Sequence, residues 1–376
     1  MIIPKKLDMN IAIIGAGAAG LFLAHKLSEG NSADIFIFEK TRKAGTKIKA
    51  SGGGKANIFN SSINGDCYNH NIQNTLLQDI TPNILRNEFS KMGMLMTEDE
   101  EQRVYPATLF SETVLDILTE NLSAAKFIFD HPVTEIKPSG KKWLINGCNT
   151  PFDKVVIATG SPAAMIAGNR KNFTALIENM HLKHKEFRPS LVGFKIKNCP
   201  KELFGCRTRA IVSLFHKKEL VHKEKGEVVF KEDGISGIVI LNCSAYYNRL
   251  EDKSDCELSL NFLYNDPNYD AAAHILRHGD MKGILHPKLN QLFIKQPFAV
   301  DDFRLAIDKP YDLEFAQVCS GGIDLSEIDN NFELKRHRGI YAIGETLDVD
   351  GICGGYNLFF AFASALKLAK HLSNEN

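Results

Sequence analysis

The sequence predicts an α/β protein: a Rossmann-like domain with a parallel sheet, split by an inserted β-barrel-like domain that carries a small helical piece. Three observations predict it. Ile11-Ala12-Ile13-Ile14 is a short apolar run, as suits a strand buried on both faces of a parallel sheet, and it stops at Gly15-Ala16-Gly17-Ala18-Ala19-Gly20. Leu21, Leu23, Ala24 and Leu27 then recur at helical spacing before Gly30, and a second apolar run, Ile35 to Phe38, ends at Glu39. The same strand signature returns at Val155 to Ala158 and at Ile340 to Ile343, on either side of a differently patterned middle.

The remaining elements follow in chain order. Residues 41–60 are polar and glycine-rich around Ser51-Gly52-Gly53-Gly54, so they read as loop. Thr81-Pro82 opens a helix with Leu85 and Phe89 one turn apart and Gly93 as its stop. Ser111 is expected to cap another helix carrying Val114, Leu115 and Leu118. Phe127 to Phe129, Val133 to Ile136 and Trp143 to Ile145 read as short strands, with a turn at Pro138-Ser139-Gly140. In the middle, Val192 to Ile196, Ala210 to Phe215, Val228 to Phe230, Ile238 to Leu241 and Leu258 to Phe262 read as strands of an antiparallel sheet or barrel, and residues 266–296 as mostly helical. A final helix is expected from about Tyr356 to Leu372. The domains are therefore placed at 1–188 with 311–376, and at 189–310.

Composition narrows the function. The chain has 376 residues, 44% apolar and 24% charged, with 45 Lys or Arg against 45 Asp or Glu. A chain of this length buries a core without staples. Its net charge of zero argues against a dedicated nucleic-acid binder, although a local basic patch can sit within a balanced chain. None of the eight cysteines forms a Cys-x-x-Cys pair, so neither a zinc ribbon nor a dithiol centre is indicated. Lys5 and Lys6 are not followed by an apolar stretch of signal-peptide length, and no run reaches the roughly 18 apolar residues of a membrane span. A cytoplasmic protein without membrane association is expected.

The chemistry sits in three glycine-rich segments. In Gly15-x-Gly17-x-x-Gly20 the first glycine allows the tight turn, the second admits a pyrophosphate to the backbone, and the third lets the helix pack on the strand. The helix start offers free N–H groups and partial positive charge to phosphates. Glu39, about 20 residues on, is placed to accept hydrogen bonds from a ribose. Ser51 to Gly54 passes where flavoproteins bring backbone beside the flavin, with Asn57 suited either to a ring edge or to capping a turn. The third segment runs from Gly344-Glu345 through Asp348, Asp350 and Gly351 to Cys353-Gly354-Gly355-Tyr356-Asn357, where a helix start faces either a second phosphate or the electron-rich edge of a reduced flavin. Asp348 with Asp350 has no further metal ligands nearby, and no metal is expected. No second Gly-x-Gly-x-x-Gly follows a strand, so a separate tight nicotinamide site is not expected.

These residues carry a resemblance. Lys47-Ile48-Lys49-Ala50-Ser51-Gly52-Gly53-Gly54-Lys55-Ala56-Asn57, Gly226 to Phe230, Gly234-Ile235-Ser236-Gly237, Ser320-Gly321-Gly322-Ile323 and Gly344 to Asn357 resemble, in order, a bacterial family of two-dinucleotide-fold flavoproteins. That family is described as aminoacetone-oxidase-like or dehydro-bile-acid-reductase-like. The resemblance implies non-covalent FAD held by Gly15, Gly17, Gly20, Glu39, Lys40, Ser51, Gly52, Gly53, Gly344, Glu345 and Gly354 to Asn357. Ala18, Ala19, Lys47, Asn57, Val133, Thr159, Gly160 and Asp350 complete the expected cofactor-binding set. The sequence departs from the family's usual pattern at Lys55-Ala56 (usually Arg-Cys), at Ser161-Pro162 (usually a longer stretch) and at Lys231-Glu232 (usually Thr-His).

The expected activity is FAD-dependent hydride transfer to or from a small organic substrate, with NAD(P)H, if used, binding transiently at the open flavin face. The alternatives are a flavin-dependent RNA-modifying enzyme and a non-catalytic regulatory protein of the same fold. No acid or base is assigned; Tyr105 and Tyr356 are the candidates.

Overall fold

The computed structural model describes residues 9–30, 33–164, 171–264 and 269–375. The described residues form two compact units. One runs to Phe187 and resumes at Ser320; the other comprises Arg188–Cys319. Residues 311–319 thus lie with the second unit, whereas the sequence reading placed them in the first.

The first unit is built on a five-stranded sheet. Asn10–Ile14 pairs in parallel with Asp34–Phe38 on one side and with Lys154–Ile157 on the other. Lys126–Ile128 and Ile340–Ala342 close the two edges, also in parallel. Ile11, Ala12 and Ile13 are fully buried, as their unbroken apolar run requires of a strand covered on both faces. The first helix, Ala18–Glu29, and the last, Tyr356–Asn374, pack together. Phe22, Phe89 and Phe362 meet there with ring centroids 5.0–5.3 Å apart.

The second unit is a closed six-stranded antiparallel barrel in the order Phe194–Ile196, Gly234–Ser236, Glu219–Phe230, Arg207–His216, Cys256–Asn261 and Phe303–Pro310. Closure leaves no unpaired edge. Ala210, Val212, Leu214, Val228, Phe230, Leu258 and Leu260 form its core with Val239, Ile240 and Cys243. Ala271–His278 and Pro287–Lys295 supply the helical piece expected within 266–296, of which residues 266–268 lie outside those described.

Four local expectations are corrected. Ile238 to Leu241 is not a strand but the first turn of a helix, Ile238–Arg249, because Gly237 starts it and the run continues through Asn242, Cys243 and Ser244 buried against the barrel. Residues 41–60 are not all loop: Thr46–Ala50 is a short helix that buries Ile48 and turns Lys47 and Lys49 outward. Ser111 does not cap its helix; its hydroxyl donates to the Lys49 carbonyl at 2.8 Å, and Phe110 is the N-cap. Val133 to Thr134 are outside any strand, the next one being Ile136–Ser139.

Phe362→Ala removes the ring shared by Phe22 and Phe89 at a fully buried position. We expect a loss of about 3–5 kcal/mol, read as a melting temperature lower by roughly 10 °C.

Candidate functional site

The glycine turn is held from two directions. The Gly15 N–H donates to the Phe38 carbonyl at 2.7 Å, which ties the end of the first strand to the end of the second. A Cβ on Gly15 would overlap the Ala158 carbonyl oxygen, and one on Gly20 would overlap the Gly15 carbonyl oxygen. Gly17, in contrast, faces open space: a Cβ there meets nothing within 4 Å. Gly17 is the N-cap of Ala18–Glu29; no side chain caps that start and no acidic residue stands in its first turn. The N–H groups and partial positive charge of Ala18, Ala19 and Gly20 are therefore left for an anion.

Glu39 is bonded within the protein through both of its oxygens. Its Oε2 accepts from the Ala16 N–H at 3.0 Å, and its Oε1 accepts from the Thr41 N–H and hydroxyl at 2.9 and 2.8 Å. One carboxylate clamps the turn and the segment that leaves the second strand. The backbone pairing of His131 with Glu39 and of Asp130 with Thr41 brings the stretch leading to buried Val133 alongside. Desolvation pushes the Lys40 ammonium below its ordinary value, against the pull of Glu39 and with the help of Lys47.

The second and third glycine segments meet the end of the fourth strand of the sheet. Lys47 Nζ donates to Glu345 Oε2 at 3.0 Å and to the Ser161 carbonyl at 2.9 Å. The Gly160 N–H donates to Thr346 Oγ1 at 3.0 Å, and the Thr159 and Thr346 hydroxyls lie 3.2 Å apart. Ser51 Oγ donates to the Ile48 carbonyl at 2.7 Å, and a Cβ on Gly52 would lie 2.7 Å from the Asn57 nitrogen. Gly355 has φ +97°, and a Cβ there would lie 2.6 Å from both Asn57 Oδ1 and the Phe59 carbonyl carbon. Glycine at 355 is thus required by close packing on the Asn57–Phe59 backbone and by its left-handed turn, rather than by the approach of a ligand.

The last helix begins as the first does, with no side-chain cap at Gly355 and no acidic residue in its first turn. Asn357 faces inward to the protein: its amide donates to the Gly351 carbonyl and its Oδ1 accepts from the Gly351 N–H, both at 2.9 Å. The Tyr356 carbonyl accepts from the Tyr68 hydroxyl at 2.8 Å, and the Tyr356 hydroxyl lies 3.4 Å from the Ser62 carbonyl. Burial pushes the Tyr68 phenol well up, which keeps it a donor. Tyr105 stands on the middle strand of a small three-stranded sheet, opposite Thr97, and burial raises its phenol too. Among the described residues of these glycine segments, Asn57 Oδ1 and Glu345 Oε1 are acceptors buried without a donor. An open backbone at Gly17, two uncapped helix starts and two orphaned acceptors fit a ligand with an anionic centre and hydrogen-bond donors on either side, as FAD is.

Sequence reading missed the support behind this segment. Buried Asp348 accepts from Lys185 at 2.7 Å, His70 at 3.2 Å and the Gly321 N–H at 3.2 Å. Asn69 and Asp350 exchange backbone-directed bonds at 3.0 Å. Nothing local marks His70 or Asn69, which lie far from Asp348 in sequence. Burial alone would raise the Asp348 carboxyl, but the bonds from His70 and Lys185 outweigh it and hold the group below its ordinary value.

A depressed folded value means that ionised Asp348 stabilises the fold at neutral pH. That contribution is complete above the unfolded value of about 3.9 and is lost as pH falls through the lower folded one. Asp348→Asn is therefore expected to lower the melting temperature at pH 7 and to flatten its decline on the acid side. Glu39→Ala is expected to weaken FAD binding roughly ten- to a hundred-fold, read by fluorescence titration of the apoprotein. An unchanged affinity would show that the clamp does not serve the cofactor.

The family model described as the HI0933-like protein Rossmann domain matches residues 9–371. The chain is 28% identical to the 3-dehydro-bile acid delta(4,6)-reductase of Clostridium scindens, over 94% of this chain and 97% of that one. It is 26% identical to the ribosomal RNA dihydrouridine synthase of Escherichia coli, over 96% and 97%. Among solved structures, the 3-ketosteroid delta1-dehydrogenase of Sterolibacterium denitrificans superposes with a TM-score of 0.49 at 11% identity, covering 97% of this chain and 99% of that one. With the match running through both units, the chain belongs to the HI0933-like family of FAD-binding Rossmann proteins.

Proposed function

We propose that this chain is an FAD-dependent reductase acting on a carbon–carbon double bond made electron-poor by a conjugated carbonyl. The observation that carries the flavin part is the pair of orphaned buried acceptors, Asn57 Oδ1 and Glu345 Oε1, in the same unit as two uncapped helix starts. Bound FAD supplies the hydride for such a reduction. The chain's own part is to bind and orient. The Gly15–Gly20 turn and Glu39 would hold the dinucleotide end, and the start of Tyr356–Asn374 would favour the negative charge of the reduced ring. The Lys47–Glu345 pair, anchored on Ser161, keeps the Glu345 carboxylate in place with one oxygen still available.

The reaction class is supported by the names of the two curated relatives. One is a delta(4,6)-reductase and the other a dihydrouridine synthase, and each name describes hydrogen added across a double bond. Two electrons and a proton enter as hydride from a reduced nicotinamide that binds transiently, and the second proton comes from solvent or a protein acid. We assign the activity to the cytoplasm. The balanced charge favours a small organic substrate, and the dihydrouridine synthases of Escherichia coli and Haemophilus influenzae favour RNA as a second reading.

The purified protein is expected to be yellow and to release FAD on acid or heat treatment. Reduced without oxygen and then mixed with an α,β-unsaturated ketone or a uridine-containing RNA, it is expected to regain the oxidised flavin spectrum and yield the saturated product. A colourless protein that cannot be reconstituted contradicts the flavin reading. A yellow protein that reoxidises with neither acceptor contradicts the reaction class.

A further inference from the structure

The zero net charge conceals a segregation. Residues 195–231 carry ten Lys or Arg against four Asp or Glu, and most of these cations lie on the hairpin formed by Arg207–His216 and Glu219–Phe230. Alternation sends Ala210, Val212, Leu214 and Val228 to the barrel core. The residues between them, Arg207, Arg209, Lys223, Lys225 and Glu227, point the other way. The register sets Arg209 across from Glu227, and Lys225 and Lys223 across from Ile211 and Ser213. Along strands of about ten residues the stripe is roughly 30 Å long.

Among the described residues, Glu227 is engaged with Arg207, and Glu257 and Asp302 with Arg304. Among the described residues, no ion pair is formed by Arg209, Lys218, Lys223 or Lys225, all of which are exposed. The Lys225 ammonium lies 4.5 Å from the centroid of exposed Tyr264.

The hairpin tip adds an independent observation. Its two-residue turn is Lys217-Lys218, with φ +50° and +71°. Such turns favour Asn-Gly, and here the Lys217 N–H is held by the Asp255 carbonyl at 3.1 Å. Lys217 is tied down by Asp252, while Lys218 is presented to solvent.

We propose that this basic face of the barrel docks RNA, with Arg209, Lys218, Lys223 and Lys225 on phosphates and Tyr264 offering its ring to a base. A row of cations with no ion pair among the described residues, beside an exposed aromatic, suits a phosphate backbone with unstacked bases, in which charge and stacking faces alternate along one strand. The inference takes its choice of RNA from the second of the two substrate readings above, and the docking surface itself lies within the barrel unit alone.

The test is fluorescence anisotropy of the FAD-loaded protein with labelled single-stranded oligouridine across about 50–200 mM salt. Four phosphate contacts predict a slope of log affinity against log salt of about −3 for a single strand. The combined variant Arg209→Glu, Lys218→Glu, Lys223→Glu, Lys225→Glu should bind at least about tenfold more weakly, with a flatter slope. Its flavin spectrum and melting temperature should be retained. Lys137→Glu with Lys141→Glu, a charge reversal on the other unit, should leave binding unchanged. No binding by the native protein at low salt, an equal loss in the Lys137 and Lys141 variant, or tight binding of polyglutamate in place of RNA would each overturn the proposal. A yellow, reducible protein that ignores RNA sinks the docking surface alone; a colourless one that binds RNA sinks the flavin reading alone.

Discussion

The first unit depends on one close approach: the first helix passes so near the glycine turn that position 20 has no room for a Cβ beneath the Gly15 carbonyl. Position 15 is pressed in the same way against the Ala158 carbonyl, at the end of the neighbouring strand. These contacts fix where Ala18–Glu29 starts, and so where its unpaired N–H groups point. The last helix packs on the first, so its own start is placed by the same contact. Backbone, rather than side chains, sets the geometry of the cradle, which explains why so few charged groups are needed to build it.

Charge enters as reinforcement. Glu39 spends both oxygens on holding Ala16 and Thr41, and Lys47 joins Glu345 to Ser161 across nearly the whole length of the chain. Asp348 does the same behind the last segment, with Lys185, His70 and the Gly321 backbone. Each carboxylate converts a loop into a fixed wall. Of these three carboxylates, Glu345 keeps a buried oxygen unspent, and an unsatisfied buried acceptor is costly enough to point to a partner outside the protein.

The parallel sheet was legible because its strands are unbroken apolar runs followed by glycine turns, a pattern with few other solutions. The fate of Ile238 to Leu241 was not, since a short apolar run fits a buried helix as well as a buried strand and only the barrel decides between them. Thr46–Ala50 escaped notice because five residues around a single buried Ile48 leave no periodicity to read. At the site, the glycines and Glu39 could be named from spacing. The Lys47–Glu345 and His70–Asp348 pairs could not, because their partners are joined only by the fold. The need for glycine at 355 could not be read either, because the neighbours it must avoid, Asn57 and Phe59, are brought there only by the fold. The basic face of the barrel was hidden by a sum, since a total of zero does not record that cations gather on one hairpin.

The central claim is that the two glycine-framed helix starts and the two orphaned acceptors form one FAD cradle. The most direct test is a crystal structure of the protein with FAD bound. The account predicts the pyrophosphate over Gly17 at the start of the first helix, and a donor atom of FAD within hydrogen-bond distance of both Asn57 Oδ1 and Glu345 Oε1. FAD bound elsewhere, or bound with both acceptors satisfied only by water, would contradict it.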